Sequence, residues 1–105
     1  ENARQVGGYA LERMKAMMVN HPLIGDVRGL GLLMGIELVR DRDTRERATD
    51  EAEAVMYNAL SKGLSFKITM GNILTLTPPL TITRTEMAQA MDILEQSLIE
   101  VQRTA

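Results

Sequence analysis

The sequence predicts a single α+β domain in which three helices pack on one face of a small, mostly antiparallel sheet of about four strands. Three observations support this fold class. The 105 residues are enough for one modest core. Apolar residues recur at helical spacing near both ends of the chain and in its middle. Two pairs of short strand-like runs separate these segments, so the order is helix, two strands, helix, two strands, helix.

The first helix is predicted over residues 2 to about 20. Asn2 followed by Gln5 resembles a capping box at its start. The sequence Asn20-His21-Pro22 ends it, because the residue before a proline disfavours helical angles. One face of this helix carries the apolar side chains, which are Val6, Ala10, Met14, Met17 and Met18.

The first pair of strands is predicted over residues 24–28 and 32–39, joined through Gly29-Leu30-Gly31. The second run is apolar nearly throughout up to Glu37, which indicates a strand inside the sheet. Residues 40–47 contain no apolar side chain, and this charged stretch is predicted to be a solvated loop.

A second helix is predicted over residues 50–62. Gly63 follows it directly, and glycine is the residue most often found just past a helix end. The apolar stripe of this helix consists of Ala52, Val55, Met56, Ala59 and Leu60.

The second pair of strands is predicted over residues 64–69 and 72–77. Alternate residues of both runs are polar, so each strand has one buried face and one polar face, and Lys67 lies on the polar face. Pro78-Pro79 ends this hairpin. Thr83 and Glu86 form a capping-box pattern that begins a last helix. Its apolar positions are Met87, Ala90, Met91, Leu94, Leu98 and Val101.

Composition excludes several kinds of site. The chain has no cysteine, which excludes thiol catalysis, disulfides and cysteine-type zinc sites. The single His21 excludes a multi-histidine cluster, so no metal site is predicted. A net charge of −2, with only two tyrosines and one phenylalanine, does not favour a nucleic-acid partner. No apolar run is long enough to cross a membrane and no signal peptide is recognisable, so a cytoplasmic protein is expected.

The glycines in the segment 29–35 do not predict a nucleotide site. The third glycine of Gly29, Gly31 and Gly35 comes one residue late for the dinucleotide-binding pattern, and the segment leads into a strand rather than a helix. These glycines are interpreted as backbone geometry, which means a tight turn, a bulge or the close approach of another segment.

Arg28 is the one candidate binding residue, and no catalytic residue is predicted. Its guanidinium is suited to bind a carboxylate through two parallel hydrogen bonds. The alternative is an ordinary ion pair with Asp26 or Glu37. Sequence spacing alone leaves both interpretations open.

Three segments carry a resemblance to a known family. They are HPLIGDVRGLGLLMGIEL at residues 21–38, KGL at residues 62–64 and LTPPLTI at residues 76–82. With them the whole chain resembles the C-terminal small domain of class III pyridoxal-phosphate (PLP) dependent aminotransferases, which are fold-type I PLP enzymes. The V-R-G-x-G-L portion is the most specific. The sequence of these segments is similar both to that of 4-aminobutyrate aminotransferases and to that of dialkylglycine decarboxylase.

The resemblance implies that residues 1–105 are this small domain and that the large PLP-binding domain is absent. The parent enzyme would be a homodimer that transfers an amino group between an amino acid or ω-amino acid and a 2-oxo acid. The small domain would close the active site, and Arg28 would bind the substrate carboxylate. Lys15, Lys62 and Lys67 are interpreted as surface lysines, so the chain alone is expected neither to bind PLP nor to catalyse a reaction.

Two other functions stay open. One is decarboxylation-dependent transamination of the dialkylglycine decarboxylase type. The other is a free-standing α+β module that binds or associates without catalysis. The enzyme interpretation further predicts a contiguous apolar patch on the surface, where the large domain would pack.

Overall fold

The computed structural model describes residues 2–104 and confirms the predicted α+β class. No helix within this range is both long and apolar enough to span a membrane. The helices are α1 (Asn2–Asn20), α2 (Thr49–Ser61) and α3 (Arg84–Thr104). The strands are β1 (Ile24–Leu30), β2 (Leu33–Asp41), β3 (Glu46–Arg47), β4 (Lys67–Thr69) and β5 (Ile73–Leu76).

The strands form one antiparallel sheet in the order β1-β2-β5-β4, with β3 pairing to the far end of β2. Strand β2 is therefore internal, as its apolar sequence predicts. Its residues Met34, Ile36 and Leu38 are buried, whereas Leu33 is exposed and Glu37 is half-buried. This alternation gives the sheet one face covered by the helices and one open face.

The helices bury most of the positions that the sequence predicts. The seam of α3 is confirmed, except that Ala90 is only half-buried. In α1 the predicted face is buried apart from half-buried Met18. The stripe of α2 is narrower than predicted, since Met56 is half-buried and Leu60 is 55% exposed.

The last helix begins with a complete capping box, as predicted. The backbone N–H of Glu86 donates to Oγ1 of Thr83 at 3.1 Å, and the backbone N–H of Thr83 donates to Oε1 of Glu86 at 2.9 Å. The loop before this helix is fixed to α1 as well, because the side-chain amide of Asn2 donates to the carbonyl oxygens of Leu80 and Ile82, both at 2.9 Å.

The turn of the first hairpin lies at residues 31–32, later in the chain than the predicted connection at residues 29–31. Strand β1 continues through Leu30, which pairs with Leu33, so the turn consists of Gly31 and Leu32. Gly31 has a φ of +60°, a conformation that glycine adopts without strain at the first position of a two-residue hairpin turn.

The charged segment 40–47 is exposed, but the prediction of a simple solvated loop is wrong at both ends. Strand β2 continues to Asp41, and β3 pairs back onto it. Exposed Arg42 is also held in place, since its guanidinium donates to the carbonyl oxygens of Met18, His21 and Ile24 at 2.5, 3.1 and 3.0 Å. The bonds to Met18 and His21 lie at the C-terminal end of α1, where a cation is favoured.

The second hairpin is shorter than predicted. Strand pairing covers residues 67–69 and 73–76 rather than 64–69 and 72–77. Residues 64–66 and 77–79 continue without pairing, because prolines at 78 and 79 offer no N–H groups to a ladder. The two segments separate beyond the pair Lys67–Thr75, and a fissure opens between them.

Helix α1 lies directly on the turn of the first hairpin. A Cβ atom placed on Gly7 would lie 2.0 Å from the carbonyl oxygen of Gly31. A Cβ atom on the neighbouring Gly8 would meet nothing within 4 Å. Only the first of these two adjacent glycines is therefore required by packing.

Gly7→Ala is expected to lower the free energy of unfolding by about 1–3 kcal/mol or more, because the new methyl group forces helix and turn apart. Gly8→Ala is the matched control in the same helix, and it should raise this free energy by roughly 0.5–1 kcal/mol by reducing the freedom of the unfolded chain. Urea denaturation measures both. Equal changes in the two variants would show that the close contact does not exist.

An ion cluster joins strand β2 to the start of helix α2. The Nε atom of Arg40 donates to both carboxylate oxygens of Glu51, at 3.0 and 3.1 Å, and its terminal nitrogens reach Glu46 at 3.2 Å and Asp50 at 3.3 Å. Hydrogen bonds from Arg40 are the largest cause of a lowered pKa of Glu51, with a further contribution from the backbone at the helix start. Arg40 in turn has a raised pKa.

A carboxyl group whose pKa is lower in the folded state stabilises the fold above its unfolded pKa, and that stability is lost as the pH falls through the folded pKa. Glu51→Gln should therefore flatten the decline in the free energy of unfolding below about pH 4.5. Glu53→Gln is the control, because exposed Glu53 has no hydrogen bond or ion pair with residues 2–104. Urea titrations between pH 3 and 7 give the comparison, and a profile of Glu51→Gln that parallels the unsubstituted chain would contradict the assignment.

Candidate functional site

Arg28 reaches the open face of the sheet because of a bulge at the start of β1. Ile24 pairs with Leu38 on the helix-covered side, but the register shifts by one residue before Asp26, which pairs with Glu37. Gly25 occupies the bulge, where a Cβ atom would lie 2.8 Å from the Val39 side chain. If Gly25 paired regularly instead of forming a bulge, Asp26 and Arg28 would point to the same side as Ile24.

Four residues on the open face lie in one line across the sheet. Arg28 of β1 pairs with Gly35 of β2, Gly35 pairs with Thr75 of β5, and Thr75 pairs with Lys67 of β4. We call this line the cross-strand row. At about 4.8 Å between neighbouring strands, its two cations are separated by roughly 14 Å at their Cα atoms.

The Arg28 end of the row is electrostatically balanced. Nε of Arg28 donates to Oδ2 of Asp26 at 2.9 Å, and one terminal nitrogen lies 3.9 Å from Oε1 of Glu37. The hydrogen bond that Arg28 donates to Asp26 is the main cause of the raised pKa of Arg28. Both partners named from the sequence are thus confirmed. The Arg28 side chain is 61% exposed, so its terminal nitrogens remain open to solvent.

Glu37 is shared between two arginines. It accepts a hydrogen bond from Arg45, which also donates to the carbonyl oxygen of Gly25 at 3.0 Å. Arg45 thereby fastens the bulge to strand β2 and keeps Glu37 beside Arg28. The two carboxylates next to Arg28 reduce the attraction that this end of the row exerts on an anion.

The opposite end of the row differs in charge. Lys67 is exposed, and its ammonium group makes no hydrogen bond or ion pair with any residue between 2 and 104. Its neighbour Thr75 is half-buried, and its Oγ1 lies 3.1 Å from Oγ1 of Thr69. Sequence reasoning treated Lys67 as an ordinary surface lysine. Its position in the row depends on the pairing of β2 with β5, which local sequence patterns do not reveal.

The fissure beside Lys67 is a cavity of about 430 Å³ between residues 64–67, residues 75–79 and the first turns of α3. Leu64, Phe66, Met34 and Met87 contribute to its largely apolar lining. Its polar lining residues are Ser65, Lys67, Thr75 and Thr77, and the part of the chain that the structure describes contributes no carboxylate to it. The fissure therefore combines an apolar interior with one cation at its border.

An apolar patch covers one end of the open face, as the sequence analysis predicts. Leu30, Leu33 and Leu80 are 82%, 58% and 72% exposed. Together with Ala3 and Pro78 they line one shallow depression, so the patch is contiguous. Contiguous exposed apolar surface of this kind is typical of protein-interaction sites and ligand-binding grooves.

Comparison with known proteins identifies the family. The family model for class-III aminotransferases matches residues 1–98. The chain is 45% identical over 101 residues to (R)-1-hydroxy-2-aminoethylphosphonate ammonia-lyase of Vibrio splendidus (strain 12B01). This alignment covers 96% of this chain and 21% of the lyase. It is 42% identical over 102 residues to leucine/methionine racemase of Thermococcus litoralis, covering 97% of this chain and 23% of that protein.

A solved structure shows the same fold. An amine transaminase from an uncultivated Pseudomonas species, in its PLP-bound (internal aldimine) form, superposes with a TM-score of 0.88 at 31% identity, covering 95% of this chain and 23% of that one. The chain thus spans less than a quarter of the length of each of these proteins. Its match to the family model along nearly its whole length shows that this chain belongs to the class-III aminotransferase family.

Proposed function

We propose that this chain is the C-terminal small domain of a PLP-dependent enzyme that transfers an amino group between an amino acid or ω-amino acid and a 2-oxo acid. The observation that carries the proposal is the family match over residues 1–98, in a chain that spans less than a quarter of its relatives. The contiguous patch around Leu30, Leu33 and Leu80 supports it, because a small domain needs a surface for the rest of its enzyme. The parent is proposed to be a homodimer.

The surroundings of the three lysines support a PLP site outside this chain. Lys62 is bound to Glu100 at 2.5 Å and to Asn58, and Lys15 is exposed on α1. Lys67 lies at a fissure to which the described residues contribute no carboxylate that could pair with a pyridine nitrogen. We therefore place the cofactor in the remaining part of the polypeptide and give this chain the role of closing the active site and binding substrate.

An acid group is the feature that this chain would recognise. Leucine, methionine and 1-hydroxy-2-aminoethylphosphonate, named in the two relatives, each carry an amine together with a carboxylate or phosphonate. Arg28 is proposed to bind the substrate carboxylate, as the resemblance implies. Its exposed terminal nitrogens support this role, although Asp26 already holds its Nε atom.

A second candidate function follows from the same relatives. One is named a racemase and the other an ammonia-lyase, and both are more than 40% identical to this chain. PLP supplies the same stabilisation of negative charge to transamination, racemisation, elimination and decarboxylation. The reaction must therefore be tested by its products.

The full-length enzyme with PLP is expected to convert L-leucine to 4-methyl-2-oxopentanoate only when pyruvate is present, with alanine formed in equal amount. Chiral chromatography of both amino acids measures this stoichiometry. Incubation of L-leucine without any 2-oxo acid is the control, and no D-leucine should form.

Other products would identify other functions. D-leucine formed without a 2-oxo acid would show a racemase, and ammonia released without an acceptor would show a lyase. Decarboxylation of 2-aminoisobutyrate coupled to alanine formation would show a decarboxylation-dependent transaminase. If none of the amino compounds reacted, the result would favour the alternative function, a module that binds or associates without catalysis.

Arg28→Met in the full-length enzyme should lower kcat/KM for L-leucine by at least about tenfold, because a charge-assisted hydrogen bond to the carboxylate is lost. Activity with 3-methylbutylamine, which has the leucine skeleton without the carboxylate, should stay within about twofold. Arg84→Met is the control, since exposed Arg84 stacks on Tyr9, 4.5 Å from the ring centre. An equal fall in kcat/KM for L-leucine and 3-methylbutylamine would show that Arg28 does not bind the carboxylate and only forms its ion pair with Asp26.

A further inference from the structure

The two ends of the cross-strand row differ in their capacity to bind an anion. Arg28 has Asp26 at 2.9 Å and Glu37 at 3.9 Å, so two carboxylates already compensate its charge. Lys67 has no such partner among residues 2–104. Gly35 and Thr75 lie between the two cations and add no charge. Lys67 is thus the uncompensated cation of the row.

Lys67 also stands where the sheet opens. It is the first residue of β4, and the unpaired segment 64–66 precedes it directly. The fissure begins at this point and extends to Met34 of the core and Met87 of α3. A ligand whose charged end lies at Lys67 would have apolar surface within reach for the remainder of the molecule.

The size and chemistry of the fissure fit a small amphipathic acid. Its volume of about 430 Å³ lies in the range of small-molecule sites, which are mostly apolar with a few polar groups that fix orientation. A lysine ammonium is a compact point charge, so it accepts a carboxylate, a sulfonate or a phosphonate without requiring one planar geometry. The Thr75 hydroxyl stands beside it in the row.

We propose that Lys67 shares with Arg28 the binding of the substrate's acid group and that the fissure next to Lys67 receives the substrate's apolar portion. Lys67 is then a specificity-determining residue of the domain, acting at the opposite end of the row from Arg28. This inference rests on the proposed function, because it concerns the substrate of that enzyme. It assigns no proton transfer to Lys67.

Binding of acids that lack an amine tests this inference independently of turnover. Calorimetry with the full-length, PLP-loaded enzyme should show that 4-methylpentanoate binds at least about tenfold more tightly than the uncharged 4-methylpentanamide. It should also bind more tightly than acetate, because acetate has no apolar portion for the fissure. Absence of the preference for the charged ligand in the unsubstituted enzyme would overturn the proposal.

Variants then assign that preference to a residue. Lys67→Met should abolish the preference for 4-methylpentanoate over the amide, and Lys67→Arg should retain it. Lys15→Met is the matched control, since exposed Lys15 lies on α1, and it should leave both affinities unchanged. Loss of the preference in Arg28→Met with its retention in Lys67→Met would overturn the proposal and assign the acid group to Arg28.

The two proposals can fail separately. Amino transfer with a preference that Lys67→Met leaves intact contradicts only the role of Lys67. A preference that depends on Lys67, in an enzyme that racemises leucine or releases ammonia, contradicts only the proposed amino transfer.

Discussion

The close contact of helix α1 with the turn of the first hairpin determines where the sheet lies on the helices. The backbone of α1 at Gly7 approaches the Gly31 carbonyl so closely that no side chain fits between them. Interiors packed at this density do not adjust continuously, so the β1–β2 hairpin has one position relative to α1. Strand β2 then determines the positions of its two further partners, because β5 pairs along it and β4 pairs with β5.

Strand β2 also divides the molecule into a packed side and an open side. Met34, Ile36 and Leu38 face the helices, and a slip of one residue would bring Gly35 and Glu37 into the core instead. The cost of burying Glu37 without a partner protects the register. The bulge at Gly25 turns Asp26 and Arg28 of β1 to the open face. The hydrogen bond from Arg45 to the Gly25 carbonyl holds the bulge in place. The cross-strand row is a consequence of both constraints.

Local sequence signals were sufficient where the interaction itself is local. The capping box of Thr83 and Glu86 joins residues three apart, and the helix seams depend only on residues one turn apart. The ion pair of Arg28 with Asp26 also joins neighbours, and it was among the two alternatives. The later turn at Gly31 and the short strand β3 depend on pairing across β2, which the sequence does not encode at one position. Lys67 is exposed, as predicted, but its place in the row depends on three strand pairings that local sequence patterns do not reveal.

One end of the open face is chemically unlike a sheet surface that faces water. Antiparallel sheets that face solvent alternate apolar and polar residues, and their outer positions are usually charged or polar. Here the outer positions include Leu30 and Leu33, while Gly35 and Thr75 carry no charge. Protein that covers this face would gain from burying the leucines, and it would also exclude water from Lys67. An uncompensated ammonium group in such a low-dielectric setting requires an anion, since burying it alone is costly. The exposed leucines and Lys67 therefore lie on the same face of the sheet, and one covering partner would affect both.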